Sequence, residues 1–89
     1  MKAIVTVVGK DKKGIIAKVS TALYECNVNI ADISQTIMQD MFTMIMMVEF
    51  DSDAVSVQDI TSRLSEVENE MGLKIHVQRE EIFSSMHRI

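Results

Sequence analysis

The residues best suited to chemistry in this 89-residue sequence lie in one short charged turn, residues 9–16. The turn has the sequence GKDKKGII, with an apolar, strand-like run before it and an amphipathic, helix-like run after it. A glycine-containing turn from a strand to a helix can present backbone N–H groups and a helix N-terminus to a small anion. The same two glycines also suit a purely structural tight turn, so both interpretations stay open at this point.

Charge is unevenly distributed along the chain. The net charge is −4, which argues against a nucleic-acid-binding surface. A cationic turn on an acidic chain suits a small carboxylate better than a phosphate backbone, although plain solvated lysines explain the cluster equally well. Four of the nine basic residues lie at or just after the turn: Lys10, Lys12, Lys13 and Lys18.

The other reactive side chains do not form a catalytic or metal-binding set. Cys26 ends the apolar stripe of the first predicted helix, where a small core residue is expected rather than a nucleophile. His76 alternates with apolar residues of a predicted strand, and His87 lies near the C-terminus, where a cation favours the dipole of a helix. No pair of histidine, cysteine or carboxylate has ligand spacing. We therefore expect no metal, no cofactor and no catalytic residue, and predict that the chain is not an enzyme.

Length and composition predict one domain over residues 1–89, of which 47% are hydrophobic and 25% charged. No apolar run is long enough to span a membrane and no signal-peptide pattern is present, so we expect a cytoplasmic protein without membrane contact. The single cysteine agrees with a reducing compartment. A domain this small gains little stability from its own core, which favours a homodimer.

The hydrophobic pattern predicts the order strand, helix, strand, strand, helix, strand. Residues 3–8 are β-branched toward both faces, which is typical of an interior strand. A helix is predicted from about Lys13 to Glu25, with Asp11 as its N-cap and Asn27 as a left-handed C-cap.

Two further strands are predicted at residues 28–38 and 42–50. In the strand at 28–38, the apolar residues switch from even-numbered to odd-numbered positions midway. A β-bulge near Ala31-Asp32 would place both halves on the core face. The strand at 42–50 alternates strictly, and its opposite face carries Ile45 and Met47.

The second predicted helix has the clearest boundaries. It begins at Ser56, an N-cap with an acidic partner at Asp59, and ends before Gly72 in the C′ position. Residues 73–77 alternate as a half-buried strand, and residues 82–89 repeat a helical spacing in a short C-terminal tail.

These elements predict an α+β, ferredoxin-like βαββαβ fold, a four-stranded antiparallel sheet with two helices on one face. Right-handed crossovers place the first and third strands in the centre of the sheet. Because Ile45 and Met47 then face away from both helices, we predict that they form a dimer interface. Three other functions of this fold are disfavoured. RNA recognition needs aromatic residues on the central strands, whereas aromatics make up only 4% of this chain. A metal chaperone needs a CxxC motif in the first loop and an acylphosphatase needs an arginine there, and this loop has neither cysteine nor arginine.

Two motifs resemble those of the ACT domain, the small-molecule-sensing module of many amino-acid-metabolic enzymes. Residues 7–19, VVGKDKKGIIAKV, resemble its strand–D-x-x-G-I–helix signature, and residues 27–30, NVNI, resemble its entry to the second strand. Asn27 stands where glycine is common, and Lys13 where proline is common, but both keep the backbone role. Residues 32–36 and 83–89 are similar to small stand-alone ACT proteins related to the regulator of the glycine cleavage system.

The resemblance implies a non-catalytic regulatory domain that senses a small molecule, an amino acid in particular, at a subunit interface of a homodimer. The ligand would lie between the first loop of one subunit and the start of the second strand of its neighbour. Gly14 would let its N–H approach a carboxylate, and Asn29 would offer both a donor and an acceptor. The alternative is a protein–protein interaction module that docks a metabolic enzyme or transcriptional regulator without a ligand of its own. The residues carried over as ligand-binding are Asp11, Gly14, Ile15, Asn29 and Ile30.

Overall fold

A computed structural model describes residues 1–81, so the predicted C-terminal tail at 82–89 lies outside the described residues. The elements follow the predicted order. Within residues 1–81, neither helix is both long and apolar enough to cross a membrane. The elements are β1 (Lys2–Lys10), α1 (Ile15–Glu25), β2 (Asn29–Met38), β3 (Met41–Glu49), α2 (Val57–Met71) and β4 (Lys74–Arg79).

The four strands form one antiparallel sheet in the order β2-β3-β1-β4. This order confirms the predicted ferredoxin-like topology, with the first and third strands in the centre. The β-branched residues of β1 are explained by this position. Its alternate residues Ala3, Val5 and Val7 are fully buried toward the helices, and Ile4 is buried on the opposite face.

One apolar cluster joins the two helices to the sheet. β3 contributes Phe42, Met44, Met46 and Val48, as its strict alternation predicts, and Met44 and Met46 are as buried as expected. From here on, the sheet face that packs on α1 and α2 is called the inner face and the opposite one the outer face. The helices contribute Ile15, Val19, Ala22 and Leu23 from α1, and Ile60, Leu64 and Val67 from α2.

The predicted bulge in β2 is confirmed, because the pairing with β3 shifts register between Ile30 and Asp32. After the bulge, Ile33 pairs with Met46 and Ile37 with Phe42, so both isoleucines lie on the inner face. The predicted placement on the core face is therefore confirmed, although Ile33 is 45% exposed and Ile37 is 51% exposed. The reason for this exposure is that β2 is an edge strand, whereas the helices cover the central strands.

The predicted N-cap of α1 is wrong, and the helix starts two residues after the predicted start at about Lys13. The helix begins at Ile15, and Gly14 rather than Asp11 is the N-cap, with a φ of 86° and no side chain bonded to the helix end. Asp11 lies too far before the first turn to cap it, and its own N–H donates to the carbonyl of Asp40 at 2.8 Å. At the other end, Asn27 has the predicted left-handed conformation, with a φ of 60°.

Both predicted boundaries of α2 are confirmed. The Ser56 hydroxyl accepts a hydrogen bond from the Asp59 N–H, and the Asp59 carboxylate accepts one from the Ser56 N–H, each at 3.0 Å. Gly72 closes the helix in a left-handed conformation, with a φ of 67°. The signals that define this helix are therefore local in sequence.

Candidate functional site

A cleft of about 470 Å³ lies beside the first loop, between the start of α1 and the inner face of the β2–β3 hairpin. The loop and the first turn of α1 form one wall, and the hairpin forms the other. The lining residues are Asp11, Lys12, Gly14, residues 15–17, Gln35, Ile37 and Phe42.

The N-terminus of α1 supplies the positive end of the cleft. Neither a capping side chain nor an acidic residue in the first turn neutralises its N–H groups. Because Gly14 and residues 15–17 line the cleft, these unpaired donors and the helix dipole favour an anion there.

The rest of the lining combines two polar groups with apolar surface. Asp11 brings a carboxylate and Gln35 an amide. Of the apolar lining residues, Phe42 is buried, and Ile16 and Ile37 are partly exposed. A cleft with an anion-favouring end, a carboxylate and apolar walls suits a small zwitterion with an apolar side chain.

The loop that lines the cleft is held on both sides. Its Asp11 N–H donates to the Asp40 carbonyl in the β2–β3 turn, and its Lys12 ammonium donates to the Met71 carbonyl at 2.6 Å. Lys18, on α1, forms an ion pair with Glu70 at 2.7 Å. Two of the four clustered lysines therefore contact α2, and these contacts position the loop and the start of α1.

The predicted ligand-binding residues divide into two groups. Asp11, Gly14 and Ile15 line the cleft together. Asn29 and Ile30 pair with the far end of β3 instead. Asn29 precedes Ile37 by eight residues, which corresponds to about 26 Å along an extended strand. Within one chain, these two residues are therefore far from the cleft.

Sequence reasoning missed Gln35, which the structure places in the cleft. The signal was available in the bulge, because the register shift places residues 33, 35 and 37 on the inner face of the sheet. Gln35 is then a polar residue between two isoleucines on an apolar face. Such a position is unusual enough to have been a candidate.

The two residues predicted to form a dimer interface lie on the outer face. Ile45 pairs with Thr6 and Met47 with Ile4 across the β1–β3 ladder. Ile45 is 41% exposed, and Met47 is half-buried. Their placement agrees with the predicted geometry, and the interface itself remains a prediction.

Cys26 and His76 do not line the cleft. Cys26 is a free thiol at the C-cap of α1, and burial raises its pKa although nearby Arg63 acts to lower it. A raised thiol pKa disfavours the nucleophilic thiolate. His76 is exposed on β4, and His87 lies outside the described residues. Between residues 1 and 81, no cluster of three or more metal-ligating side chains is present.

The class of protein follows from a family model. The ACT domain model matches residues 2–78, so the chain belongs to the ACT domain family, a family of regulatory domains. This confirms the resemblance carried by residues 7–19 and 27–30. More particularly, the chain is 52% identical to a UPF0237 protein of Clostridium acetobutylicum over 89 residues, which is 100% of both chains.

Solved structures share the fold. An ACT domain protein from Streptococcus pneumoniae is 41% identical with a TM-score of 0.81, over 93% of each chain. The regulatory subunit of aspartate kinase from Thermus thermophilus is 26% identical with a TM-score of 0.70, over 86% of this chain and 50% of that one. A candidate glycine cleavage system transcriptional repressor is 20% identical with a TM-score of 0.78, over 88% of this chain and 44% of that one, and it shows the fold alone.

Proposed function

We propose that this chain is a non-catalytic regulatory module that senses a small molecule, an amino acid in particular, at a subunit interface of a homodimer. The observation that carries the proposal is the cleft of about 470 Å³ at the uncapped N-terminus of α1. Membership of the ACT family supports a regulatory role. The cleft supports the choice of ligand, because it combines the uncapped N-terminus of a helix with a carboxylate and apolar walls.

Each part of an amino acid has a matching group in the cleft. The carboxylate accepts hydrogen bonds from the free N–H groups of the first turn of α1, which Gly14 leaves open because it has no Cβ. The ammonium group pairs with the Asp11 carboxylate and the Gln35 side-chain oxygen. An apolar side chain packs against Ile16 and Ile37, both of which line the cleft.

A second subunit completes this site in the proposal. β2 is a ten-residue edge strand with exposed apolar side chains at Ile33 and Ile37, which is a template for pairing with another strand. If two β2 strands pair antiparallel about a two-fold axis, the start of one lies beside the end of the other. Asn29 and Ile30 of the partner subunit then lie next to Ile37 and close the cleft.

The outer face provides a second contact in the proposal. Ile45 and Met47 are proposed to pack against the same residues of a further subunit, because both are apolar and face away from α1 and α2. Two subunits that pair through β2 present their outer faces to the same side, so this contact joins two such homodimers in the proposal. We also infer a cytoplasmic location, since a chain with a single cysteine cannot form an internal disulfide that an oxidising compartment would favour.

A thermal-shift screen against the twenty standard amino acids tests the proposed ligand class. We expect at least one to raise the Tm, because a ligand at 100 times its Kd stabilises the folded protein by about 2.7 kcal/mol. Gln35→Ala and Asn29→Ala should each reduce the shift. Thr36→Ala is the matched control, since Thr36 is adjacent to Gln35 but lies on the outer face opposite Thr43, and it should leave the shift unchanged.

The second candidate function is a protein–protein interaction module without a ligand of its own. The exposed apolar side chains of Ile33, Ile37 and Ile45 favour it. A screen in which no amino acid changes the Tm, together with a binding partner that is captured equally well with and without amino acids, would support this function and contradict the first.

A further inference from the structure

We propose that Lys12 is a positioning residue for the cleft, which holds the first loop in place by capping the C-terminus of α2. The ammonium group of Lys12 donates to the Met71 carbonyl at 2.6 Å, across 59 residues of sequence. Residues 11–14 lie between this contact and the first turn of α1. The part of the inference that concerns ligand affinity rests on the proposed function, whereas the part that concerns the loop does not.

The C-terminal end of α2 receives its cation from outside the helix. The last turn of α2 contains no basic residue. The N–H groups of Gly72 and Leu73 both donate to the carbonyl of Glu68, which leaves the Met71 carbonyl to a partner from elsewhere. The Lys12 ammonium provides both a hydrogen-bond donor and a positive charge at the negative end of the helix dipole.

A second observation places the same loop against the same corner. Gly9, at the end of β1, approaches Leu73 so closely that an added Cβ would lie 2.6 Å from Leu73 Cδ2 and 3.4 Å from Leu73 Cα. The start of the loop and Lys12 therefore both contact residues 71–73, the corner that joins α2 to β4. On its other side, the loop is bonded to Asp40 through the Asp11 N–H.

These contacts couple the cleft to the corner. The loop runs from Lys12 to Gly14, whose carbonyl accepts the first helical hydrogen bond from the Lys18 N–H at 2.9 Å. Displacement of Lys12 would therefore move the N–H groups that line the cleft. By thermodynamic linkage, a ligand that orders the loop also stabilises the contact of Lys12 with Met71, and thereby the entry to β4.

Amide hydrogen exchange of the ligand-free protein, followed by NMR, tests the anchor. Lys12→Met should increase exchange about threefold to tenfold at residues 11–15 and at 72–74, the effect of losing one partly exposed hydrogen bond. Lys12→Arg should restore protection at both segments, because a guanidinium also donates to a carbonyl. Lys13→Met is the matched control. Lys13 is exposed and forms no hydrogen bond or ion pair with residues 1–81, so exchange should stay at the wild-type rate.

Binding provides the second readout, with each of the twenty amino acids as the probe at equal concentration. Lys12→Met should weaken the Tm shift of any amino acid that stabilises the wild type, while Lys12→Arg and Lys13→Met retain it. Faster exchange at 72–74 alone would show that Lys12 is only a helix cap, and would overturn the proposal. Unchanged exchange at both segments would overturn it as well. Faster exchange at both segments with no response to any amino acid would support the anchor and contradict the proposed function.

Discussion

Gly14 has a φ of 86°, and nothing lies within 4 Å of the place where a Cβ would stand. Gly14→Ala therefore meets no steric obstacle, and its cost is the left-handed backbone of a residue with a side chain. We expect the free energy of unfolding to fall by about 1 kcal/mol, because the strain is partly offset by the lower entropy of the unfolded chain. Urea denaturation measures this change.

At Gly9 the constraint is the space available for a side chain, whereas at Gly14 it is the backbone conformation. The two glycines can therefore be compared directly. An added Cβ would overlap Leu73, which is buried and has little room to move. Gly9→Ala should therefore cost about 1–3 kcal/mol through overpacking. In the double variant Gly9→Ala/Leu73→Ala, the two effects should not add, since the obstacle is gone. A larger cost at Gly14 than at Gly9 would contradict this division between backbone strain and packing.

The capping box of α2 makes the stability of this element depend on pH. Hydrogen bonds from Ser56 hold the pKa of Asp59 below its usual value of about 4. A carboxyl whose pKa is lower in the folded state stabilises that state at higher pH. This contribution is complete above the unfolded pKa and is lost as the pH falls through the folded pKa.

Asp59→Ala tests this dependence. The difference in unfolding free energy between the wild type and the variant should be largest near neutral pH and should shrink as the pH is lowered below about 4. Urea denaturation from neutral to acidic pH checks it. Ser56→Ala, which removes the hydroxyl acceptor, should cost about 1 kcal/mol at neutral pH. A difference between wild type and Asp59→Ala that is the same at both ends of the range would contradict a role for the charge.

At the scale of the whole molecule, the two proposed contacts between subunits can be separated by two lysine substitutions. Ile33→Lys places a charge on the inner face at the β2 edge, and Met47→Lys places one on the outer face. Each should lower the molar mass measured by light scattering, because burying an unpaired charge in an interface is costly. Only Ile33→Lys should also remove the response to amino acids, since pairing of β2 completes the cleft.

Gln58→Lys is the control for the added charge, because Gln58 is an exposed residue of α2 away from both faces of the sheet. It should leave both the mass and the amino-acid response unchanged. A Met47→Lys variant with the wild-type mass would show that Ile45 and Met47 are not an interface. An Ile33→Lys variant that still responds to amino acids would show that the partner subunit does not complete the site.

Several features follow from the sequence alone because their causes lie within a few residues. The capping box of Ser56 and Asp59 spans one helical turn, and the left-handed Gly72 directly follows α2. The parity change in β2 similarly predicts the bulge between Ile30 and Asp32. The two apolar faces of residues 3–8 predict a central strand. Local hydrogen bonds and side-chain alternation are sufficient in each case.

Other features were decided by the tertiary structure, because their causes lie far apart in the chain. Alternation assigns Ile33 and Ile37 to the inner face, but only the strand order leaves that part of the face at the edge of the sheet. Gln35 enters the cleft because the first loop packs across the hairpin. The first loop is held in place by contacts of Asp11 with Asp40 and of Lys12 with Met71. These partners are far apart in the sequence, and they meet only because α2 and the hairpin pack around the loop. No pattern within residues 9–16 encodes that packing.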